Sequence, residues 1–180
     1  MEQFNDEHLM LKVKNGDLDS LAPLFEKYHI KLYNFFLRIT HDKEISNDLT
    51  QNVFRRIISY RKSYDSESKF KSWMYQIARN VHLKHYQENK FLKSDYNEIE
   101  HIKQEGLSAL EEIEFETKKT SLYEALKQLN AEEQHIIELS RFQGLKYKEI
   151  SDITGNSVTA IKVKVHRAMH KLRELYFEIA

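Results

Sequence analysis

The sequence predicts an all-α protein made of two small helical domains joined by an acidic linker. Its 180 residues include only one proline and four glycines, so few positions force a helix to end. Apolar residues recur at intervals of three and four, as in helices with one buried face. Residues 95–116 are strongly acidic and separate the two halves. We therefore predict an N-terminal domain at residues 1–87, a linker at 88–119 and a C-terminal domain at 120–180.

Three helices are predicted in the N-terminal domain. Two of them have apolar residues on one face, at residues 21–39 and 45–58. A third helix is predicted from residue 69 onward, after a polar loop at residues 64–68, and Ser68 can cap it by accepting a hydrogen bond from a backbone N–H. The second helix also has a polar face, which consists of Asp48, Gln51, Asn52 and Arg55.

Three short helical patterns follow the linker, at residues 122–129, 131–141 and 147–153, and a fourth pattern runs over residues 157–177. The last two form the most informative motif. Gly155 lies between them, where glycine permits the left-handed backbone that ends many helices. Ser157 can cap the second helix. The spacing predicts a helix-turn-helix whose second helix enters a DNA major groove. An ordinary helical hairpin with a solvated face is the alternative, and the basic excess on the second helix argues against it.

Charge is distributed unevenly along a chain that is neutral overall. The chain has 28 basic and 28 acidic side chains, so its net charge does not attract it to nucleic acid. Residues 54–90 and the last helix are basic, however, and they flank the acidic linker. In residues 54–90 aromatic side chains alternate with the basic ones, and most of them are expected in the core. One or two could stack on unpaired bases, because single-stranded nucleic acid binds aromatic surfaces beside positive charge.

Several kinds of site are absent from the sequence. There is no cysteine, which excludes disulfides, thiolate metal sites and a cysteine nucleophile. There is no glycine-rich phosphate loop or nucleophile elbow. His166, His170 and Glu174 recur at steps of four, but no further metal ligand is evident. We predict a protein with no catalytic residue, metal or nucleotide cofactor. No export signal or long apolar segment occurs, so we expect a soluble cytoplasmic protein without membrane insertion.

Three stretches resemble sigma factors, the promoter-recognition subunits of bacterial RNA polymerase. Residues 122–175 resemble their C-terminal promoter-binding domain, residues 48–54 their polymerase-binding helix and residues 70–80 their promoter-melting helix. All three occur in the family's order, and the short chain with one linker resembles the extracytoplasmic-function (ECF) type. Three positions depart from the family pattern. Asn47 stands where the family usually has an acidic residue, Asn130 where it has a proline, and Ala160 where it has a threonine.

The resemblance implies where this chain binds its partners. It implies that the last helix reads the minus-35 element through Ser157, Thr159, Lys162, Val163, His166, Arg167 and Lys171. It implies that the basic segment captures the unpaired minus-10 strand through Arg61, Lys69, Arg79, Asn80 and Lys84. The polar face of Asp48, Gln51, Asn52 and Arg55 is expected to dock on the clamp coiled coil of the core polymerase. The polymerase flap and an anti-sigma factor are further expected partners.

Two other functions remain compatible with the residues. A one-component helix-turn-helix regulator would bind duplex DNA without polymerase. An all-helical interaction protein would bind neither DNA nor polymerase. The resemblance favours a promoter-recognition factor over both.

Overall fold

The computed structural model describes residues 5–89 and 109–179. Every regular element within these ranges is helical, as predicted. Residues 90–108, most of the predicted linker, lie outside the described ranges. The α-helices are α1 (Asp6–Lys14), α2 (Leu21–Thr40), α3 (Lys43–Tyr60), α4 (Phe70–Asn89), α5 (Ala109–Lys127), α6 (Ala131–Ile137), α7 (Tyr147–Thr154) and α8 (Val158–Ile179).

The three predicted N-terminal helices are confirmed as α2, α3 and α4, and α1 is an element that the sequence analysis missed. This short helix buries three apolar side chains beneath the others, namely Leu9, Met10 and Val13. Glu7 of α1 also accepts a hydrogen bond from the Phe70 N–H at 3.2 Å, at the start of α4. Lys14 donates to the Tyr64 carbonyl at 2.6 Å. The first helix therefore ties down the loop before α4 through contacts between residues that are far apart in the sequence.

The helix-turn-helix has the predicted local geometry. Gly155 ends α7 with a φ of 73°, and Ser157 caps α8 by accepting a hydrogen bond from the Ala160 N–H at 3.2 Å. Asn130, which stands where the resembling family usually has a proline, begins α6 with a capping box. Its side chain accepts from the Glu133 N–H, and the Glu133 carboxylate accepts from the Asn130 N–H, both at 2.9 Å. The departure from the family pattern therefore preserves the helix start.

The two predicted domains pack directly against each other. One continuous core contains apolar side chains from both, including Phe35 and Met74 on one side and Leu139 and Ile150 on the other. The contact is made by α2 and α4 with α6, α7 and the π-helical turn Glu138–Phe142 that extends α6. A second, smaller core lies between α5, α6 and α8.

Candidate nucleic-acid interface

The outward face of α8 is exposed as predicted. Lys162, Val163, His166 and Arg167 are exposed, while Ile161 and Val165 are buried. The α-helical period of 3.6 residues accounts for this division, because residues four apart lie on the same side of the helix, as Ile161 and Val165 do on the buried side and Lys162 and His166 on the exposed side. The geometry brings a lysine, a histidine and an arginine to one accessible surface that a DNA major groove can accommodate.

The other predicted minus-35 residues lie at the edges of that face. Thr159 is exposed in the first turn of α8, next to the capping residue Ser157. Lys171 lies farther along the helix and donates to Glu133 at 2.8 Å. Lys171 is therefore tied to the start of α6, and the first turns of α8 carry most of the exposed predicted residues.

The predicted minus-10 residues are spread over α4 and the loop before it. Asn80 and Lys84 are exposed on α4, and Arg79 is half-buried. Arg61 donates to the Ile58 carbonyl at 2.8 Å and so satisfies an acceptor at the end of α3. Lys69 forms an ion pair with Glu149 of α7 at 3.2 Å. The structure therefore directs one predicted minus-10 residue toward the C-terminal domain.

Aromatic side chains in this basic segment divide between core and surface, as expected. Tyr64, Phe70 and Tyr75 are almost fully buried, whereas Tyr60 and Tyr86 are exposed. Trp73 is half-buried and its ring lies 5.1 Å from that of Tyr64. The exposed aromatic rings beside basic residues are the ones available for stacking on a base.

The predicted polymerase-docking face on α3 is accessible. Asp48, Gln51 and Arg55 are exposed, and Asn52 is half-buried, where its amide oxygen accepts from Arg56 Nε at 3.1 Å. This face contains both charge signs and has no large apolar side chain, which suits a contact that must later be released.

The histidines at the end of α8 do not form a metal cluster. His170 contacts Glu174 at 3.4 Å, and no group of three or more potential ligands occurs among residues 5–89 and 109–179. Within the same ranges, no helix has the length and apolar character needed to cross a lipid bilayer.

Several polar side chains form hydrogen bonds across the contact between the domains, and the sequence does not predict them. Arg38 of α2 donates to both carboxylate oxygens of Glu138, at 2.6 and 2.8 Å. His82 of α4 and His135 of α6 share a hydrogen bond of 3.0 Å. Lys71 donates to the Gln143 carbonyl at 2.8 Å. These partners are 53 to 100 residues apart in the chain, so helical periodicity contains no signal for them.

Comparisons with known proteins identify the class. The sigma-70 region 2 family matches residues 24–92, and the sigma-70 region 4 family matches residues 119–172. The chain is 28% identical to the RNA polymerase sigma factor YlaC of Bacillus subtilis, over 87% of this chain and 91% of that protein. It is 29% identical to the ECF RNA polymerase sigma factor SigM of Bacillus subtilis, over 87% of this chain and 95% of that protein.

A solved structure supports the fold. The sigma factor RpoE of Bartonella quintana, in complex with the anti-sigma factor NepR, matches with a TM-score of 0.70 and 21% identity, over 87% of this chain and 96% of that one. Because the two family matches together cover most of the chain, at residues 24–92 and 119–172, the chain belongs to the sigma-70 family of RNA polymerase sigma factors, in its ECF group. It directs RNA polymerase to promoters for the initiation of transcription.

Proposed function

We propose that the exposed start of α8 reads the minus-35 element and that the basic side of α4 holds the minus-10 strand. The observation that carries the first assignment is the accessible row of Lys162, His166 and Arg167 above a buried apolar side. Arginine can donate two hydrogen bonds to a guanine edge, whereas lysine suits a guanine edge or a phosphate. Ser157 and Thr159 lie beside that row, where they would contact the DNA backbone.

The minus-10 assignment is supported by exposed polar side chains beside aromatic rings. Asn80 and Lys84 are exposed on α4, and Tyr86 lies two residues beyond Lys84 with its ring accessible. An amide can hydrogen-bond to a base edge, and an ammonium group attracts the strand's phosphates. Arg61, Lys69 and Arg79 would complete this surface once Lys69 separates from Glu149.

The polymerase-docking face is proposed to consist of Asp48, Gln51, Asn52 and Arg55. Docking would occur on the clamp coiled coil of the polymerase, with the flap as a contact for the C-terminal domain. The chain would carry no catalytic residue, because the polymerase performs the chemistry of RNA synthesis. It would act in the cytoplasm, where that enzyme transcribes DNA. The RpoE structure contains an anti-sigma factor, and we propose a partner of the same kind for this chain.

Gel filtration with core polymerase tests the proposal. We expect the wild-type chain to co-elute with core, and Asp48→Ala, Gln51→Ala and Asn52→Ala together to weaken co-elution strongly. The unfolding free energy should change by no more than about 0.5 kcal/mol for each of the exposed residues Asp48 and Gln51, and by more for the half-buried Asn52, which loses its hydrogen bond from Arg56. A matched control, Asn15→Ala with Glu26→Ala, changes exposed residues elsewhere in the same domain and should co-elute normally.

Two results would contradict the assignments. Undiminished co-elution of the triple variant would show that these residues do not form the docking face. Tight sequence-specific binding of duplex DNA by the chain alone at physiological salt would instead favour a one-component regulator. We expect weak binding by the chain alone, because its acidic and basic groups balance and few phosphates are neutralised.

A further inference from the structure

Two buried histidines, His82 and His135, and the half-buried His41 lie where the N-terminal and C-terminal domains meet. His82 of α4 and His135 of α6 contact each other across the boundary through Nδ1 and Nε2, at 3.0 Å. Phe35 of α2 stacks on the His135 ring, with centroids 6.0 Å apart and planes 7° apart. His41, at the end of α2, lies edge-on to Tyr123 of α5. The interface therefore buries imidazole rings from both domains.

The hydrogen bonds at these rings suit neutral histidine. Within the described residues, His135 Nδ1 and His41 Nε2 are buried without a hydrogen-bond partner. If His135 donates its Nε2 proton to His82 Nδ1, the bare Nδ1 of His135 needs no acceptor. A second proton on His135 would place a buried N–H without an acceptor, and the added positive charge would lie near Arg79. Leaving a buried donor unpaired is unfavourable by about 1–3 kcal/mol.

The same packing engages one of the residues proposed to hold the minus-10 strand, Lys69. A cleft of about 460 Å³ lies between the two domains, with Lys69, Trp73 and Gln76 on one side and Lys148 and Asp152 on the other. In this closed arrangement Lys69 pairs with Glu149. An interval of about 25 base pairs, from minus-35 to minus-10, spans about 85 Å of B-DNA. A compact chain of 180 residues has a radius of gyration of about 16 Å, so the closed arrangement cannot contact both elements.

We propose that the His82–His135 contact, assisted by His41, is a pH-sensitive clasp that holds the two domains closed and releases them when the histidines are protonated. Release separates α4 from α6 and α7 and leaves the folded domains joined by the linker. The clasp itself is independent of the promoter and polymerase assignments. Its consequence, that acidification favours the form able to span a promoter, rests on the proposed function.

The direction of the pH effect follows from the burial of these groups. Burial, with a smaller contribution from His85, lowers the pKa of His82 to about 4. Burial lowers the pKa of His41 to about 4, with Lys127 lowering it and Glu124 raising it. Burial, then His82 and Arg79, hold the pKa of His135 well below its ordinary value. The closed form thus binds these protons more weakly than the open form, whose histidines titrate near 6.5. The free-energy advantage that the closed form gains from these neutral histidines is complete above about pH 6.5 and declines as the pH falls toward 4.

One charged group at the interface acts in the opposite direction. Burial raises the pKa of Glu138, while Arg38 and Gln143 lower it by a smaller amount. The closed form therefore holds the Glu138 proton more tightly than the open form, and acid favours closure through this group. Three histidines oppose one carboxyl group, so acidification is expected to open the clasp overall.

The position of Trp73 in the cleft allows closure to be measured by fluorescence quenching. Trp73 is the single tryptophan of the chain, and the chain has no cysteine. Asp152→Cys therefore provides a unique attachment point, across the cleft from Trp73. A bimane label on that cysteine should be quenched by Trp73 at pH 7.5 and should brighten at least twofold by pH 5, with a midpoint between 4 and 6.5. Far-UV circular dichroism should stay unchanged over the same range, because the helices persist.

Variants separate the clasp from general acid effects. His82→Asn combined with His135→Gln should remain quenched to pH 5, whereas His170→Gln, which changes an exposed histidine, should brighten like the wild type. A wild type that stays quenched to pH 5, or a double variant with the wild-type midpoint, would overturn the proposal. If the double variant is already bright at pH 7.5, the pKa values of the wild-type histidines, measured by NMR titration, test the proposal instead. Measured pKa values near 6.5 for His82 and His135 would then refute the clasp. Neither readout requires polymerase or DNA, so either result is independent of the promoter assignments.

Discussion

Arg167 is the residue of α8 best suited to select a base. Its guanidinium is exposed and always charged, and it presents paired donors that match the O6 and N7 acceptors of guanine. Lys162 and His166 share its face but carry less directional donors. Base selection should therefore depend on Arg167 more than on its neighbours.

We predict that Arg167→Ala flattens the preference at one minus-35 position by roughly 1–3 kcal/mol. If Lys162 contacts a phosphate, Lys162→Ala should weaken binding to all minus-35 sequences about equally and reduce the salt dependence of binding. Transcription by reconstituted holoenzyme from a library of randomised minus-35 sites measures both effects. Arg173→Ala, an exposed arginine farther along the same helix, is the matched control. An unchanged preference in a folded Arg167→Ala, His166→Ala double variant would show that the reading face is wrongly assigned.

Individual residues differ in how well the sequence predicts their surroundings. The exposure of Lys162 and Arg167 was predictable, because helical periodicity fixes which side of α8 faces the core. The partner of Lys69 was not, since Glu149 lies 80 residues away. The family resemblance implies that Lys69 holds the minus-10 strand, but it contains no information about a carboxylate that competes for this lysine. Exposure within a helix is a local property, whereas ion pairing across domains is not.

At the scale of single elements, the turn between α7 and α8 depends on its glycine. Gly155 has a φ of 73°, and a Cβ added there would meet no atom within 4 Å. Substitution by alanine is therefore unfavourable only through backbone strain, which is about 1–2 kcal/mol for a residue in the left-handed region.

We predict that Gly155→Ala lowers the unfolding free energy by about 1 kcal/mol, whereas Gly155→Asn lowers it less, because asparagine tolerates this conformation better. Urea denaturation monitored by circular dichroism measures the difference. Equal losses for both substitutions would mean that a contact, and not the backbone angle, determines the effect.

Helices were predicted best where they are long and amphipathic. α2 and α3 have regular apolar stripes and were recognised to within a few residues, whereas α1 has nine residues and was missed. Its Leu9, Met10 and Val13 are too few to establish a period in the sequence. Its stability comes from tertiary packing, including the contacts of Glu7 and Lys14, as is usual for short helices.

At the scale of the whole molecule, the packing of the two domains was not predicted. The sequence predicts an acidic linker between two domains without indicating a contact between them, but α6 and α7 share a core with α2 and α4. The polar partners in this contact, Arg38 with Glu138 above all, have no local sequence pattern. Family resemblance identified both domains and their order but did not specify how they pack in this chain.

We predict that Arg38→Ala opens the cleft without unfolding either domain. The Glu138 side chain is only 3% exposed, and an unpaired buried carboxylate is destabilising by about 3–5 kcal/mol. Separation of the domains relieves this penalty by returning Glu138 to water. The bimane label at position 152 should therefore be bright at pH 7.5. Arg38→Met with Glu138→Met should restore quenching, because a hydrophobic pair of similar size is often neutral at such a site.

Lys27→Ala serves as the control, since Lys27 pairs with Asp6 on the exposed side of the N-terminal domain. Its loss should leave the label quenched. Persistent quenching in Arg38→Ala would mean that the Arg38–Glu138 pair is not needed to hold the domains together.

The accessibility of the proposed docking face on α3 has a consequence for the time course of assembly. Asp48, Gln51 and Arg55 are exposed while the domains are closed, so a polymerase that docks on this face as proposed would capture the protein before the cleft opens. Stopped-flow mixing should then show a fast phase whose rate rises in proportion to polymerase concentration. A slower phase should follow, with a rate that reaches a plateau as the polymerase concentration rises. That plateau measures how quickly the two domains of the bound protein separate.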